Sequence, residues 1–129
     1  MKVAIIDYEA GNLRNVQKAI EKFKCKAEII SNGEDLQNFD SIVLPGVGSF
    51  YHGMEKLNER NFNKCLKQEV LIKKKPFLGI CLGMQLIGSK GEEGKICEGL
   101  NLIPFEVRSF SVSELRIPHI GWNNVKINS

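Results

Sequence analysis

Residues 75–85 read KPFLGICLGMQ, an apolar strand-like stretch that enters a Gly-x-Cys-x-Gly turn and leaves it as a helix-forming stretch. This is the layout of a nucleophile elbow, in which a sharp strand-to-helix turn pushes a reactive side chain out of the sheet. Gly79 and Gly83 lack Cβ atoms, so strand and helix can pass close to each other at the turn. The thiol of Cys81 is then expected at a helix N-terminus, where unpaired N–H groups and the helix dipole stabilise negative charge. The alternative is a buried packing cysteine in an ordinary strand–helix turn.

Strand and helix patterns alternate along the chain. The predicted strands are residues 2–7, 27–30, 41–44 and 77–80, with further candidates at 106–110 and 124–127; the predicted helices are residues 11–24, 62–72 and a stretch that begins at Leu82. Such alternation predicts an α/β fold with a mostly parallel sheet and helices on both faces. Ligands bind such sheets at the carboxyl ends of the strands. Residues 7–12, the glycine-rich residues 45–50 and the Cys81 turn are expected to meet there.

Composition excludes several classes of function. A chain of 129 residues with a net charge of +3 predicts one domain, and the dense basic run at residues 73–75 is explained by a helix C-terminus rather than by nucleic acid. No apolar run approaches the ~20 residues of a membrane span. The four cysteines and two histidines have no zinc spacing, and no phosphate-loop or dinucleotide motif is present, so we expect neither metal nor cofactor. Cys25 and Cys65 are predicted to be packing residues of a cytoplasmic protein.

Four sequence blocks together resemble the class I, triad-type glutamine amidotransferases. They are IIDYEAGNL at residues 5–13, LPGVG at 44–48, GICLGMQ at 79–85 and PHIGWN at 118–123. The resemblance spans nearly the whole chain and implies a flavodoxin-like fold. The first and last blocks resemble in particular the family members that serve imidazole glycerol phosphate synthesis in histidine biosynthesis.

The resemblance implies a role for each residue of the central blocks. Cys81 would attack the side-chain amide of glutamine, giving a γ-glutamyl thioester and ammonia. The N–H groups of Leu82 and Val47 would stabilise the oxyanion, after a reorientation of the glycine-flanked Val47 loop. Gly48 and Gln85 would contact the bound glutamine.

The resemblance also implies a partner, a (β/α)₈-barrel cyclase that receives the ammonia, with Asn12 and Trp122 at the interface. Each residue has a simpler explanation as well. Asn12 is a suitable helix N-cap, and Trp122 could cap the core. His119 is a candidate base for Cys81, although the resemblance places it at the subunit contact, and His52 is expected to be exposed.

The family completes its triad with a His-x-Glu pair downstream of the elbow, and no such pair occurs before the sequence stops at Ser129. Residues 1–129 are therefore expected to be the N-terminal portion of a single amidotransferase domain. This portion should turn over glutamine poorly and expose apolar surface. Three alternatives remain open. The first is a relative that supplies ammonia for sugar amidination in surface polysaccharide synthesis, left open by departures from the family pattern at residues 9–10 and 49–52 and by the low-specificity residues 89–99. The others are a non-catalytic docking module and an unrelated cysteine hydrolase.

Overall fold

A four-stranded parallel sheet forms the centre of the molecule. The structure is a computed structural model that describes residues 1–111, 117–118 and 120–127. Strand β1 (Lys2–Ile6) lies between β2 (Lys26–Ile30) and β3 (Ser41–Leu44), and β4 (Phe77–Gly79) pairs with β3. The strand order β2-β1-β3-β4 is that of flavodoxin-like folds, in which ligands bind at the carboxyl ends of the strands. The predicted mostly parallel sheet is confirmed.

Helices cover both faces of this sheet, as predicted. The helical segments are α1 (Leu13–Glu21), a 3-10 helix (Gly33–Asn38), α2 (Phe50–Glu59), α3 (Phe62–Leu66), a π-helix (Lys67–Ile72) and α4 (Leu82–Leu86). Helix α1 packs on the face formed by Val3, Ile5 and Val43. Helices α2, α3 and α4 pack on the opposite face, where the core holds Ala4, Ile6, Tyr8, Ile42, Leu44, Phe50, Leu57, Phe62 and Leu86. The central strands β1 and β3 are apolar on both sides because helices pack against both of their faces.

A second, smaller sheet follows α4. Strand β5 (Lys90–Gly91) pairs antiparallel with β6 (Cys97–Glu98) and parallel with β7 (Glu106–Val107). Only β7 falls within a predicted strand, and it ends at Val107 rather than at residue 110. Residues 120–127 contain no strand, so the candidate at 124–127 is wrong.

None of the described helices combines the length and the apolar character that crossing a bilayer requires.

The face that carries α1 is only partly covered. An apolar groove of about 730 Å³ runs between α1 and the strands β3 and β4, of which β4 is the edge strand. Its wall includes Val16, Ile20 and Phe23 from α1 and the residues after it, and its floor includes Val43 and Leu78. Phe23 is 81% exposed and Leu78 is 56% exposed. The apolar surface expected from the sequence is therefore present on this face.

Two helical features differ from the sequence-based expectation. Helix α2 was not predicted, although its buried residues Phe50, Met54 and Leu57 have helical spacing. Gly53 conceals the pattern, because glycine is a poor helix former; here it lets the side chain of Leu86 approach α2. The predicted helix at residues 62–72 continues beyond Leu66 as a π-helix. This wider turn changes the register, so Ile72 is exposed instead of lying on the apolar side.

The π-helix carries the buried carboxylate Glu69. Its Oε1 lies 2.8 Å from Nζ of Lys73, and its Oε2 lies 2.7 Å from Nζ of Lys75. The second contact is an ion pair rather than a well-aligned hydrogen bond. Lys75 also donates to the carbonyl oxygens of Leu36 (2.8 Å) and Gln37 (3.1 Å), which belong to the 3-10 helix. Glu69 and Lys75 thus join the π-helix to the 3-10 helix.

Replacing Glu69 by glutamine is expected to lower the free energy of unfolding by about 2 kcal/mol near neutral pH, because both lysines lose their counter-charge. Burial acts to raise the pKa of the Glu69 carboxyl, but the hydrogen bond from Lys73 and the positive charges of Lys73 and Lys75 outweigh it, and the pKa is lowered. The carboxylate therefore stabilises the fold fully above its unfolded-state pKa, and this contribution is lost as the pH falls through the folded-state pKa.

Urea unfolding of wild type and Glu69→Gln at neutral and acidic pH measures this effect. The matched control is Glu59→Gln, which removes an exposed carboxylate from its pair with Lys56. The control should change the unfolding free energy by less than about 0.5 kcal/mol. A difference between Glu69→Gln and wild type that persists unchanged at acidic pH would contradict the assignment.

Candidate active site

Cys81 has the backbone of a nucleophile elbow. It lies between β4 and α4 with φ 55° and ψ −115°, a left-handed conformation that a non-glycine residue rarely adopts. The turn is closed by hydrogen bonds from Gly83 N to Ile80 O (3.0 Å) and from Met84 N to Cys81 O (3.0 Å). Cys81 is exposed. The alternative of a buried packing cysteine is therefore wrong.

The flanking glycines have the steric role that the sequence predicted. A Cβ on Gly79 would lie 2.7 Å from the Cα atom of Met84, and a Cβ on Gly83 would overlap the carbonyl oxygen of Leu44. Strand β4, helix α4 and the end of β3 are thus packed backbone against backbone. Ile80 N also donates to Leu44 O at 2.9 Å, which fixes the elbow to β3.

The loop after β3 adjoins the elbow. A Cβ on Gly46 would lie 3.1 Å from Gly83 N, and a Cβ on Gly11 would lie 3.6 Å from the Cα atom of Gly46. The three segments that follow β1, β3 and β4 therefore converge at one edge of the sheet, as predicted. The predicted oxyanion residue Val47 is 61% exposed. Gly48 is also exposed, with φ 106°, and a Cβ added there would have no neighbour within 4 Å.

Two backbone N–H groups at this edge of the sheet, in the loop after β3 and at the start of α4, have no hydrogen-bond partner among the described residues. Within residues 1–111, 117–118 and 120–127, neither the N–H of Val47 nor that of Leu82 has a hydrogen-bond partner. Leu82 begins α4, so its N–H belongs to the first turn, where no intrahelical acceptor exists. Pairs of such donors stabilise the oxyanion that forms when a thiolate attacks a carbonyl carbon.

Two further side chains lie on or against the segments that meet at this edge of the sheet, one on α4 and one against the start of α2. Gln85, the predicted glutamine contact, is half-buried on α4, and its N–H donates to Cys81 O at 3.2 Å. Glu93 was missed by the sequence analysis. Its Oε2 accepts a hydrogen bond of 3.2 Å from the N–H of Phe50, at the start of α2 and two residues after Gly48. No motif in the sequence marks Glu93, because the contact spans 43 residues.

Asn12 is a helix N-cap in this structure. Its side-chain oxygen accepts a hydrogen bond of 3.3 Å from Asn15 N at the start of α1. It is exposed and shares a surface depression with Val47, so it lies on the same edge as the elbow. Nearby Glu9 pairs with Arg60 at 2.5 Å and with Lys56 at 3.3 Å. Its charge is therefore balanced within the chain.

Trp122 is fully exposed, so the alternative that it caps the core is wrong. It lies in residues 120–127, which have no helix or strand. Among the described residues, no group of three or more His, Cys, Asp or Glu side chains is arranged to hold a metal ion. All four cysteines are free thiols, and Cys25 and Cys65 pack against the two core clusters, as predicted.

Comparison with known proteins identifies the family. The model of the family "Glutamine amidotransferase class-I" matches residues 4–128. The chain belongs to the class I glutamine amidotransferases. It is 52% identical over 126 residues to imidazole glycerol phosphate synthase subunit HisH 1 of Campylobacter jejuni strain 81-176, covering 97% of this chain and 63% of that protein. It is 44% identical to subunit HisH of Methanosarcina barkeri, covering 98% of this chain and 61% of that protein.

A solved structure of a glutamine amidotransferase shares the fold of this family member. It aligns with a TM-score of 0.60 at 16% identity and covers 70% of this chain and 47% of that one. The chain spans less than two thirds of the length of the curated relatives that it matches. The chain therefore contains the amidotransferase elbow but not the full length of sequence that these relatives have.

Of the two histidines in this amidotransferase chain, His52 belongs to the described residues and His119 does not. His52 is exposed on α2, as predicted, and its Nδ1 lies 3.3 Å from a carboxylate oxygen of Glu55. His119, the other candidate base for Cys81, lies outside the described residues. The described part of the chain therefore contains no histidine in contact with Cys81.

Proposed function

We propose that the protein containing this chain hydrolyses glutamine to glutamate and ammonia, with Cys81 as the nucleophile. The observation that carries the proposal is the exposed thiol of Cys81 on a strained backbone with positive φ, followed directly by the N–H of Leu82, which has no hydrogen-bond partner among the described residues. Strain of this kind persists where a fold holds a residue for reaction. The free N–H groups of Val47 and Leu82 are suited to the oxyanion that the reaction forms.

The proposed reaction has two halves. The Cys81 thiolate attacks the side-chain carbonyl carbon of glutamine, and the carbonyl oxygen becomes an oxyanion that Val47 and Leu82 stabilise. The oxyanion collapses, the carbon–nitrogen bond breaks, and the nitrogen leaves as ammonia after taking a proton. Water then attacks the thioester, giving glutamate and the free thiol. Gly48 and Gln85 would contact the glutamine, and the negative charge of Glu93 suits its α-ammonium group.

The proton transfers require an acid–base group in contact with Cys81. The resemblance implies a His-x-Glu pair downstream of the elbow. More than a third of the Campylobacter jejuni relative lies outside the part that this chain matches. We assign the acid–base role to such a pair. The 129-residue chain by itself is then expected to hydrolyse glutamine slowly, because thiol activation and leaving-group protonation both lack their group.

The named relatives are subunits of imidazole glycerol phosphate synthase, which favours histidine biosynthesis over sugar amidination. We therefore infer a (β/α)₈-barrel cyclase as the partner that receives the ammonia in the cytoplasm. Asn12 lies on the edge that carries the elbow, and exposed Trp122 offers a large apolar side chain for an interface. An interface over that edge would keep ammonia away from water.

The test uses the protein isolated from its source cell, mixed with glutamine and with the cyclase of the same cell. Glutamate and ammonia should form in the complex, and the recombinant 129-residue chain alone should form little of either. Trp122 is the only tryptophan of residues 1–129, and its burial by the cyclase should shift part of the tryptophan emission of the complex to the blue. Trp122→Phe should remove this signal. Ammonia transfer to a sugar substrate instead would favour the polysaccharide alternative, and no glutamate formation would contradict the proposed function.

A further inference from the structure

Tyr8 has a buried hydroxyl that no known role explains. It follows β1 by two positions, its side chain is fully buried, and its hydroxyl has no hydrogen-bond partner among the described residues. Buried polar groups are paired in the great majority of cases, and an unpaired one is costly. A phenylalanine would fill the same space without that cost. The hydroxyl therefore needs an explanation that the resting packing does not supply.

The hydroxyl lies directly beneath the two segments that carry the free N–H groups. A Cβ on Gly46 would overlap the Tyr8 hydroxyl and would also lie 3.1 Å from Gly83 N and from the Cβ atom of Leu82. The oxyanion loop, defined here as residues 45–48, and the first turn of α4 therefore meet above Tyr8. The phenol also interacts electrostatically with Cys81: burial raises the pKa of Tyr8, and the negative charge of the Cys81 thiolate raises it further.

The oxyanion loop has the freedom to change its backbone above this hydroxyl. Gly48 has no side chain and has open space where a Cβ atom would lie, and the side chain of Val47 is exposed. Packing at these two positions therefore does not obstruct a rotation of the peptide between Gly46 and Val47. Such a rotation reverses the Gly46 carbonyl and the Val47 N–H together, because both belong to the same planar peptide. A carbonyl turned inward would meet the Tyr8 hydroxyl, and the N–H would then point outward towards the exposed thiol.

We propose that Tyr8 is a positioning residue whose hydroxyl donates a hydrogen bond to the Gly46 carbonyl when the oxyanion loop turns the Val47 N–H towards Cys81. The proposal rests on the proposed function, because it assigns a role in forming the oxyanion hole. In the described conformation the hydroxyl is unpaired, and in the reactive conformation it is paired. Tyr8 thus stabilises the reactive conformation relative to the resting one.

The test compares two reagents that modify Cys81 in Tyr8→Phe and in wild type, using the protein isolated or expressed at its native length. The first reagent is a chloroketone analogue of glutamine. The thiolate adds to its carbonyl carbon, and the oxygen takes the electron pair. Sulfur then bonds to the methylene carbon as chloride leaves, and the carbonyl re-forms as the bond between sulfur and the carbonyl carbon breaks. The second is iodoacetamide, whose iodide is displaced directly and which forms no oxyanion. Only the first reaction needs the oxyanion hole.

Tyr8→Phe should slow labelling by the chloroketone about five- to tenfold relative to labelling by iodoacetamide, the effect of one hydrogen bond between neutral groups. Its midpoint of urea unfolding should equal or exceed that of wild type, because an unpaired hydroxyl is removed. The matched control is Tyr51→Phe on α2, a tyrosine whose ring lies beside Lys95 rather than beneath the loop. This variant should leave the ratio of the two rates unchanged.

An unchanged ratio in Tyr8→Phe would overturn the proposal and leave the proposed function intact. A large loss of stability in Tyr8→Phe would also overturn it, because the hydroxyl would then have a partner in the resting state. If wild type shows no preference for the glutamine analogue at Cys81, the proposed function fails, and the role of Tyr8 fails with it. These three results are distinguishable from one another.

Discussion

Replacing Cys81 by alanine is expected to reduce the rate of glutamine hydrolysis by about 10⁴-fold or more, because removal of a nucleophile eliminates the covalent route. The exposed left-handed elbow holds no second thiol, since Cys25, Cys65 and Cys97 all lie half-buried elsewhere. No neighbouring side chain can therefore form the thioester in its place. Glutamate release by the native-length protein in complex with its partner measures the effect.

Cys25→Ala is the matched control for this experiment. Cys25 precedes β2 and lies at the amino end of the sheet, opposite the edge that carries Cys81. Its replacement should leave the rate of hydrolysis within about twofold, since the thiol only packs against α1 and the sheet. Activity that survives in Cys81→Ala and disappears in Cys25→Ala would exclude the elbow as the reactive site.

Replacing Gly83 by alanine is expected to lower the free energy of unfolding by about 3 kcal/mol or more, the upper part of the range for overpacking. The added methyl group would overlap the carbonyl oxygen of Leu44 and lie 2.7 Å from its carbonyl carbon. Both are backbone atoms of β3, so no rotamer change can relieve the contact. The helix α4 would have to move away from the sheet, and Cys81 with it. Urea unfolding followed by circular dichroism measures the change.

Gly121→Ala provides the corresponding control. Gly121 has no atom within 4 Å of the position that a Cβ would take, and it lies in an exposed stretch. Its replacement should change the unfolding free energy by less than about 0.5 kcal/mol. Equal stability of Gly83→Ala and wild type would mean that α4 is not held against β3 as the structure describes.

The four parallel strands and the elbow could be predicted from the sequence because their signals are local. Each strand is a short apolar run, and the spacing of Gly79, Cys81 and Gly83 between a strand pattern and a helix pattern predicts a tight strand-to-helix turn. The convergence of three loops at one sheet edge followed from the topology of parallel strands. These features depend on a few neighbouring residues, and the structure confirms them.

Other features depend on contacts between distant residues and could not be predicted. Gly53 weakens the helical signal of α2, because glycine is a poor helix former and its packing against Leu86 cannot be read from the sequence. The π-helix changes which residues face the core, so Ile72 is exposed against the expectation for a regular helix. The two-residue strands of the small sheet are too short to show alternation, and nothing near Tyr8 in sequence indicates that its hydroxyl lacks a partner.

The left-handed backbone of Cys81 also has an evolutionary consequence. A non-glycine residue in such a conformation costs of the order of 1–3 kcal/mol, against a total stability of about 5–15 kcal/mol for a typical domain. Glycine at this position would relieve the strain and make a more robust fold that is chemically inert. Selection for stability and selection for reactivity therefore oppose each other at this one residue. Lineages that no longer need the reaction should drift towards glycine there before the surrounding core changes.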